Sequence, residues 1–242
     1  MLSMMRSCVD DYKMIAPGDK IAVGVSGGKD SLVLLRLLAE MRRFYPNPYE
    51  LCAITLDLGY GADYSGIAEL CKELDVPYTV KQTNIKNVVF DIKKDPNPCA
   101  LCSKMRRGSL NEAALSLGFN KVALGHHFDD AVETFMLSLF YEGRIYSFRP
   151  VTYLDRTGVT QIRPLLYINE KTIGNFAQRL CLPIIKNPCP VDKYTKREDI
   201  KRLISELEKQ YPKLRQNIFG GLQRSTVPGW SKCEQPDYKQ QD

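Results

Sequence analysis

Val25-Ser26-Gly27-Gly28-Lys29-Asp30-Ser31 is the stretch around which the chain is organised. Ahead of it runs Ile21-Ala22-Val23-Gly24-Val25, an apolar segment with the length of a buried strand. Behind it, Leu32 to Glu40 contains strong helix formers and no breaker. Ser26 to Ser31 therefore reads as a strand-to-helix turn. Two glycines let the backbone approach a ligand closely. The N–H groups at the helix start, together with Lys29, favour an anion. A phosphate-bearing nucleotide is the natural occupant.

Spacing excludes two familiar phosphate loops. A Walker A loop needs a glycine where this chain has Val23 and Ser or Thr where it has Asp30; a dinucleotide fingerprint needs glycine where it has Ser26. The hexapeptide S-G-G-K-D-S resembles instead the PP-loop of the ATP pyrophosphatase superfamily. Enzymes of that superfamily cleave ATP between its α and β phosphates to adenylate a substrate. The bland alternative is an ordinary Gly-rich turn.

Outward from this unit, strand and helix alternate. An amphipathic helix is expected over 3–15, closed by Pro17-Gly18. Further strands are expected at Leu51–Asp57, Val76–Val80, Lys121–Gly125 and Val159–Leu165, with helices over 63–74, from Cys99 to about Leu117, over 130–141, and from the Asn169 cap to about Leu180. A short polar helix is expected within 85–98, ending in a Pro-broken loop at Lys93–Pro98. Asn187-Pro188-Cys189-Pro190 reads as a rigid turn. A charged helix over Thr195–Gln210 and a second short one follow, and the tail from Pro228 reads as polar and loose. The class is α/β, a mostly parallel sheet flanked by helices, with C-terminal helices appended. We expect one domain over 1–190 and a helical extension with its tail over 191–242. Ligands in such sheets bind beyond the carboxyl ends of the strands. The turn at Ser26–Ser31, Asp57 and His126–Asp130 all follow strand ends, so they should line one crevice.

The 242 residues are 44% hydrophobic and 26% charged, enough for a full core. The net charge of +6 fits a slightly basic cytosolic protein or one with a polyanionic partner such as RNA. Met1–Asp11 lacks the apolar centre of a secretory signal, and no run approaches the length of a membrane span. The eight cysteines are thus expected in a reducing compartment, where clusters suggest metal or redox chemistry.

Three constellations carry chemistry. In Gly125-His126-His127-Phe128-Asp129-Asp130 the carboxylates can simply cap a helix. They can also hold Mg²⁺ against phosphate. The reading adopted places Mg²⁺ on Asp130, aided by Asp129 or Asp57, with Gly125, His126 and His127 lining the nucleotide site. Cys99-x-x-Cys102 opens a helix, and Cys189 sits between two prolines. Three thiolates suit an iron–sulfur cluster with one open iron; structural zinc, with His126 or His127 as fourth ligand, is the alternative. Cys8, Cys52, Cys71, Cys181 and Cys233 read as bland. Lys104, Arg106 and Arg107, then Arg144, Arg149 and Arg163, then Lys193 to Arg202, flank the same crevice. They are either solvated faces or an RNA surface.

Together these residues resemble the TtcA family of tRNA 2-thiocytidine-forming sulfurtransferases, relatives of the TtuA thiouridine enzymes. The resemblance rests on S-G-G-K-D-S, C-x-x-C-S-x-x-R-R-G at 99–108, G-H-H-x-D-D at 125–130, I-R-P-L at 162–165 and P-C-P at 188–190. It runs from about Met14 to Cys189. The zinc fingers of the TtuA branch are absent. After Cys189, where TtcA proteins commonly carry a further cysteine and a Gly-Ser stretch, this chain has Pro190-Val191-Asp192-Lys193-Tyr194.

The resemblance implies an adenine nucleotide alpha hydrolase-like PP-loop fold, with ATP, Mg²⁺ and a [4Fe–4S] cluster on Cys99, Cys102 and Cys189. Its substrate is the cytidine that begins the tRNA anticodon loop, with sulfur arriving through a cysteine desulfurase. Ser26, Gly27, Gly28, Lys29, Asp30 and Ser31 would hold the phosphates. Lys29, Asp57 and Asp130 would serve catalysis, and Lys104, Arg106, Arg107 and Arg163 would contact RNA. Tyr60, Phe128 and Tyr141 are candidates to stack on the base. A homodimer is compatible with the resemblance, a membrane is not expected, and the cytoplasm is the expected compartment. Two rivals are a PP-loop enzyme that adenylates a small molecule, with the CxxC as a zinc site, and an RNA- or cluster-binding protein without catalysis.

Overall fold

The structure, a computed structural model, describes residues 1–93, 98–185, 189 and 196–232. Most of the Pro-rich loop before Cys99, the turn around Cys189 apart from Cys189 itself, and the last ten residues lie outside the described residues.

Six strands form one sheet in the order β3-β2-β1-β4-β6-β5. They are β1 (Asp19–Gly24), β2 (Tyr49–Asp57), β3 (Tyr78–Gln82), β4 (Lys121–Ala123), β5 (Val151–Leu154) and β6 (Val159–Ile162). All neighbours run parallel except β5, which returns antiparallel on β6. The strand over Val159–Leu165 is therefore shorter than its apolar run, and β5 was missed. Its signal is Asp155-Arg156-Thr157-Gly158, a turn between two β-prone runs. The Gly158 N–H closes that turn on the Leu154 carbonyl at 2.8 Å.

Side-chain alternation along the central strands sends apolar groups to both faces. Ile21 and Val23 of β1 join the larger core, while Ala22 joins a smaller one with Cys52, Ile54 and Val122. On the larger side lie α1 (Leu2–Asp11), α2 (Lys29–Met41), α3 (Ser65–Glu73), α5 (Phe128–Glu142) and α6 (Glu170–Arg179). The smaller side is covered by α4 (Pro98–Ser116) through Leu110, Ala113 and Ala114. The polar helix expected in 85–98 is a π-helical turn, Asn87–Ile92.

The C-terminal helices α7 (Lys196–Gln210) and α8 (Leu214–Arg224) pack on α5, and Ile200, Ile204, Phe219 and Leu222 are buried in the larger core. The expectation of a loose tail from Pro228 is corrected at Trp230. Its ring is fully buried, edge-on to Phe219 at 5.4 Å and to Tyr12 at 6.4 Å. A polar neighbourhood in sequence hid one aromatic large enough to anchor the segment. Among the described residues no helix is long and apolar enough to cross a membrane.

Candidate active site

The sheet order reverses between β1 and β4, so the loops after these two strands diverge and leave a crevice. The turn Ser26–Ser31 fills one side of it. Ser31 Oγ accepts the Ser26 N–H at 3.1 Å and donates to the Gly28 carbonyl at 2.9 Å, which wires the loop to itself. Gly28 begins α2 without any side chain capping it. The first N–H groups of α2 thus remain available to an anion. Gly27 has φ +82°, and a Cβ there would meet Ile185 Cβ at 2.9 Å. The Gly27 carbonyl accepts the Ile185 N–H at 2.9 Å, so the chain at Ile185 lies directly over the loop. With only three residues between them, Cys189 lies no further than about 14 Å from Ile185.

The turn after β4 forms the other side. A Cβ on Gly125 would stand 3.1 Å from the Asp30 and Ser31 backbone, so glycine lets the two loops touch. His127 and Asp130 form a capping box at the start of α5: the His127 N–H donates to Asp130 Oδ2 at 3.0 Å and the Asp130 N–H to His127 Nδ1 at 3.4 Å. Asp130 Oδ1 also accepts from Arg197 of α7 at 3.3 Å. Asp129 is buried; its oxygens accept the Glu170 N–H at 2.7 Å and Arg215 Nη1 of α8 at 3.1 Å. Asp129 is thus a clamp between three elements. Asp30 differs, because its Oδ1 is buried and makes no hydrogen bond. A buried unsatisfied carboxylate oxygen beside a phosphate loop fits a cation such as Mg²⁺. Asp57, at the end of β2, accepts the Gly59 N–H at 2.9 Å, and its charge adds to burial in raising the Tyr64 hydroxyl.

Lys29 Nζ stands 3.3 Å from Asp30 Oδ2 and 3.0 Å from Glu170 Oε1. Partial burial works against its charge, but Asp30 and Glu170 together outweigh that and raise its pKa. Burial also opposes the charge of Glu170, yet Lys201 and Lys29 hold its carboxyl down to about 2. Burial pushes Glu133 up, against Arg197 at 3.3 Å. Sequence reasoning missed Glu170, Arg215 and Glu133 as site residues, and it placed Arg197 and Lys201 at the crevice only as members of a basic surface. No local pattern marks them, since each reaches the crevice through pairing distant in sequence.

Burial, reinforced by the charge of Arg163, drives the His126 imidazole down to about 3. Its ring lies 4.8 Å from Phe148, and its Nδ1 is buried without a partner. The expectation that Arg163 contacts RNA is corrected. Arg163 is buried, and its Nη1 donates to the Arg149 carbonyl at 2.6 Å and to Thr152 Oγ1 at 3.1 Å. It braces the β5 hairpin from within. Lys104, Arg106 and Arg107 are exposed on α4, just beyond Cys102. Phe128 is likewise withdrawn from base stacking, because it packs on Phe219 at 4.7 Å. Tyr141 is exposed with Lys196 over its ring at 4.6 Å.

Cys99 is exposed and Cys102 half-buried at the start of α4. Burial raises the Cys102 thiol, Arg106 draws it down, and Cys189 and Cys99 raise it again, so both other thiols stand within electrostatic reach of Cys102. The Tyr60 hydroxyl is raised by burial, then by Cys189 and Cys102, and it hydrogen-bonds Cys189. Among the described residues no three His, Cys, Asp or Glu side chains are gathered tightly enough for one metal ion. In a [4Fe–4S] cluster each thiolate binds a different iron, so its ligands stand further apart than those of a single zinc. The capping box also occupies His127, a proposed fourth zinc ligand. Three thiols, two of them at the start of α4, are a donor set that fits a cluster with one open iron.

A family model described as PP-loop domain matches residues 3–207. The chain is 38% identical over 219 residues to a tRNA-cytidine(32) 2-sulfurtransferase of Pelobacter propionicus, covering 88% of this chain and 81% of that one. A protein of the same name from Geobacter sulfurreducens is 38% identical over 218 residues, covering 88% and 85%. The fold is similar to that of the U34-tRNA thiolase NcsA from Methanococcus maripaludis, solved with its [4Fe–4S] cluster: TM-score 0.74, 26% identity, 90% of this chain and 76% of that one. By these matches, the chain belongs to the PP-loop family and, within it, to the TtcA group.

Proposed function

We propose that this protein is an ATP-dependent tRNA sulfurtransferase that replaces the C2 oxygen of a cytidine in the anticodon loop with sulfur. The observation that carries the reading is a pair of contacts: Ile185 hydrogen-bonds the phosphate loop at Gly27, and Cys189 lies close enough to Cys102 and Tyr60 to act on both. Activation by ATP and sulfur delivery then share one crevice.

ATP lies with its phosphates on Ser26–Ser31, where Lys29 and the start of α2 balance their charge. Mg²⁺ would be held by Asp30, with Asp130 and Asp57 as further candidate ligands, and would neutralise charge on the phosphates. The C2 oxygen attacks the α-phosphorus, the α–β bond breaks, and pyrophosphate leaves. Adenylation is needed because oxide is a poor leaving group and AMP a good one. Cys99, Cys102 and Cys189 would hold a [4Fe–4S] cluster, which would supply bound sulfur. Attack of sulfur at C2 then expels AMP. His127 orients the turn through its capping box, keeping Asp130 beside Asp30. The exposed Lys104, Arg106 and Arg107 track phosphates of the tRNA on the same face as the thiols. Single-stranded loop bases can be splayed into such a crevice. Sulfur is expected from a cysteine desulfurase, in the cytoplasm.

The test is nucleoside mass spectrometry of bulk tRNA from a strain lacking its own thiocytidine enzyme and carrying this gene or its Cys99→Ala version. The return of 2-thiocytidine with the intact gene alone supports the reading. A thiouridine instead would move the substrate towards that of the U34 thiolase and leave the site intact. Thiolation by the Cys99→Ala protein would refute the role of the thiols.

A further inference from the structure

Glu170 occupies an unusual position. Its carboxylate bridges two ammonium groups, Lys29 Nζ at 3.0 Å and Lys201 Nζ at 2.7 Å. Lys29 belongs to the phosphate loop. Lys201 comes from α7, and Glu170 begins α6. The Glu170 backbone is fixed, because its N–H donates to Asp129 Oδ2 at 2.7 Å. The side chains are not sealed: Lys29, Glu170 and Lys201 remain 31%, 31% and 38% exposed, so a soluble ligand can reach them.

We propose that Lys201 is a phosphate-binding residue of the nucleotide site, and that Glu170 takes the place of the phosphate until ATP arrives. The inference rests on the reading that Ser26–Ser31 binds ATP. Lys29 already spends two of its three N–H donors, and most of its charge, on Asp30 and Glu170, so a phosphate gains its full attraction only by an exchange of partners. A polyphosphate brings more negative charge than one carboxylate and displaces it from Lys29. The displaced carboxylate is then repelled by the phosphate it faces. Lys201, left beside the new anion, turns to it. Two ammonium groups sharing one carboxylate are close enough for one pyrophosphate unit to bridge. The C-terminal helix thereby supplies a cation to the end of ATP that leaves.

The experiment is calorimetric titration of the full chain with ATP, inorganic pyrophosphate and AMP. Lys201→Gln should weaken pyrophosphate and ATP roughly tenfold, the loss of one charge-assisted hydrogen bond, and should leave AMP within about twofold. Lys201→Arg should restore most of the affinity. Glu170→Gln should act with the opposite sign and tighten pyrophosphate several-fold, since the internal competitor is gone. Unchanged pyrophosphate affinity in Lys201→Gln, or weaker binding in Glu170→Gln, would overturn the inference. If the wild-type chain binds ATP normally in that case, only this inference falls. If it binds neither ATP nor pyrophosphate, the nucleotide reading falls with it.

Discussion

The two adjacent carboxylates of the turn after β4 should separate cleanly when each is changed to an amide. Asp129→Asn keeps the size of a buried group that accepts the Glu170 N–H at 2.7 Å and Arg215 Nη1 at 3.1 Å. One carboxamide cannot present an acceptor to both donors, so its NH₂ must face either an N–H or a guanidinium. Charge-assisted bonds of this kind contribute about 1.5–3 kcal/mol each. Breaking a buried pair from one side costs about 3–5 kcal/mol when the other charge is stranded. Arg215 is not wholly stranded, because Glu208 Oε2 remains at 2.9 Å. The expected loss is therefore about 3 kcal/mol, or roughly 6–12 °C in melting temperature for a chain of this size. Urea unfolding followed by tryptophan fluorescence measures it. Trp230 is the only tryptophan and is buried against Phe219 of α8, the helix that Arg215 anchors. Asp130→Asn, whose carboxylate is more exposed, should cost about 1 kcal/mol while impairing ATP cleavage. A double-mutant cycle with Arg215→Met should give a coupling above about 1 kcal/mol. Asp129→Asn as stable as wild type, or additive with Arg215→Met, would refute the clamp.

Gly27→Ala should destabilise the chain by at least about 1 kcal/mol and abolish ATP binding, because it imposes a left-handed φ on alanine and drives its Cβ into Ile185; Gly28→Ala, with 3.4 Å to Ser26 Oγ and an ordinary φ, should be milder in both titration and urea melts. Replacing Lys104, Arg106 and Arg107 together by Gln should reduce the slope of log tRNA affinity against log salt by roughly 2. Arg163→Gln should leave that slope unchanged and lower stability, since its guanidinium is buried. His126 stays neutral in the folded chain to about pH 3, against an ordinary 6.5, so the unfolded chain binds more protons between those values. Stability should then fall on acidification from pH 7 to pH 5 by about 2 kcal/mol at this group, and His126→Asn should lose that part of the dependence in urea melts at the two pH values.

Much of the fold was legible because it rests on local rules. The apolar run of β1, the Gly27-Gly28 turn and the breaker-free α2 are contiguous, and alternation of strand and helix implies a parallel sheet with its loops at one end. S-G-G-K-D-S, Asp57 and G-H-H-x-D-D all follow strands, so alternation alone assigns them to that end. Cys99 and Cys102 are tied by spacing and Cys189 was singled out by its Pro-flanked turn, but only the likeness to a known family chose a cluster over zinc for the three.

What the sequence determined by itself was the chemistry available: a phosphate loop, a carboxylate turn, thiols and a basic helix start. Tertiary structure decided which of those groups are at liberty to act. Arg163 and Arg107 look alike in sequence, yet one lies inside the β5 hairpin and the other on the surface. Asp129 and Asp130 are neighbours, but one points to Glu170 and Arg215 and the other to His127 and Arg197. Burial and long-range ion pairing depend on residues brought together from far along the chain, Lys29 with Glu170 and Glu170 with Lys201. A local pattern carries no record of such partners, because the energy that fixes them exists only once the helices have packed.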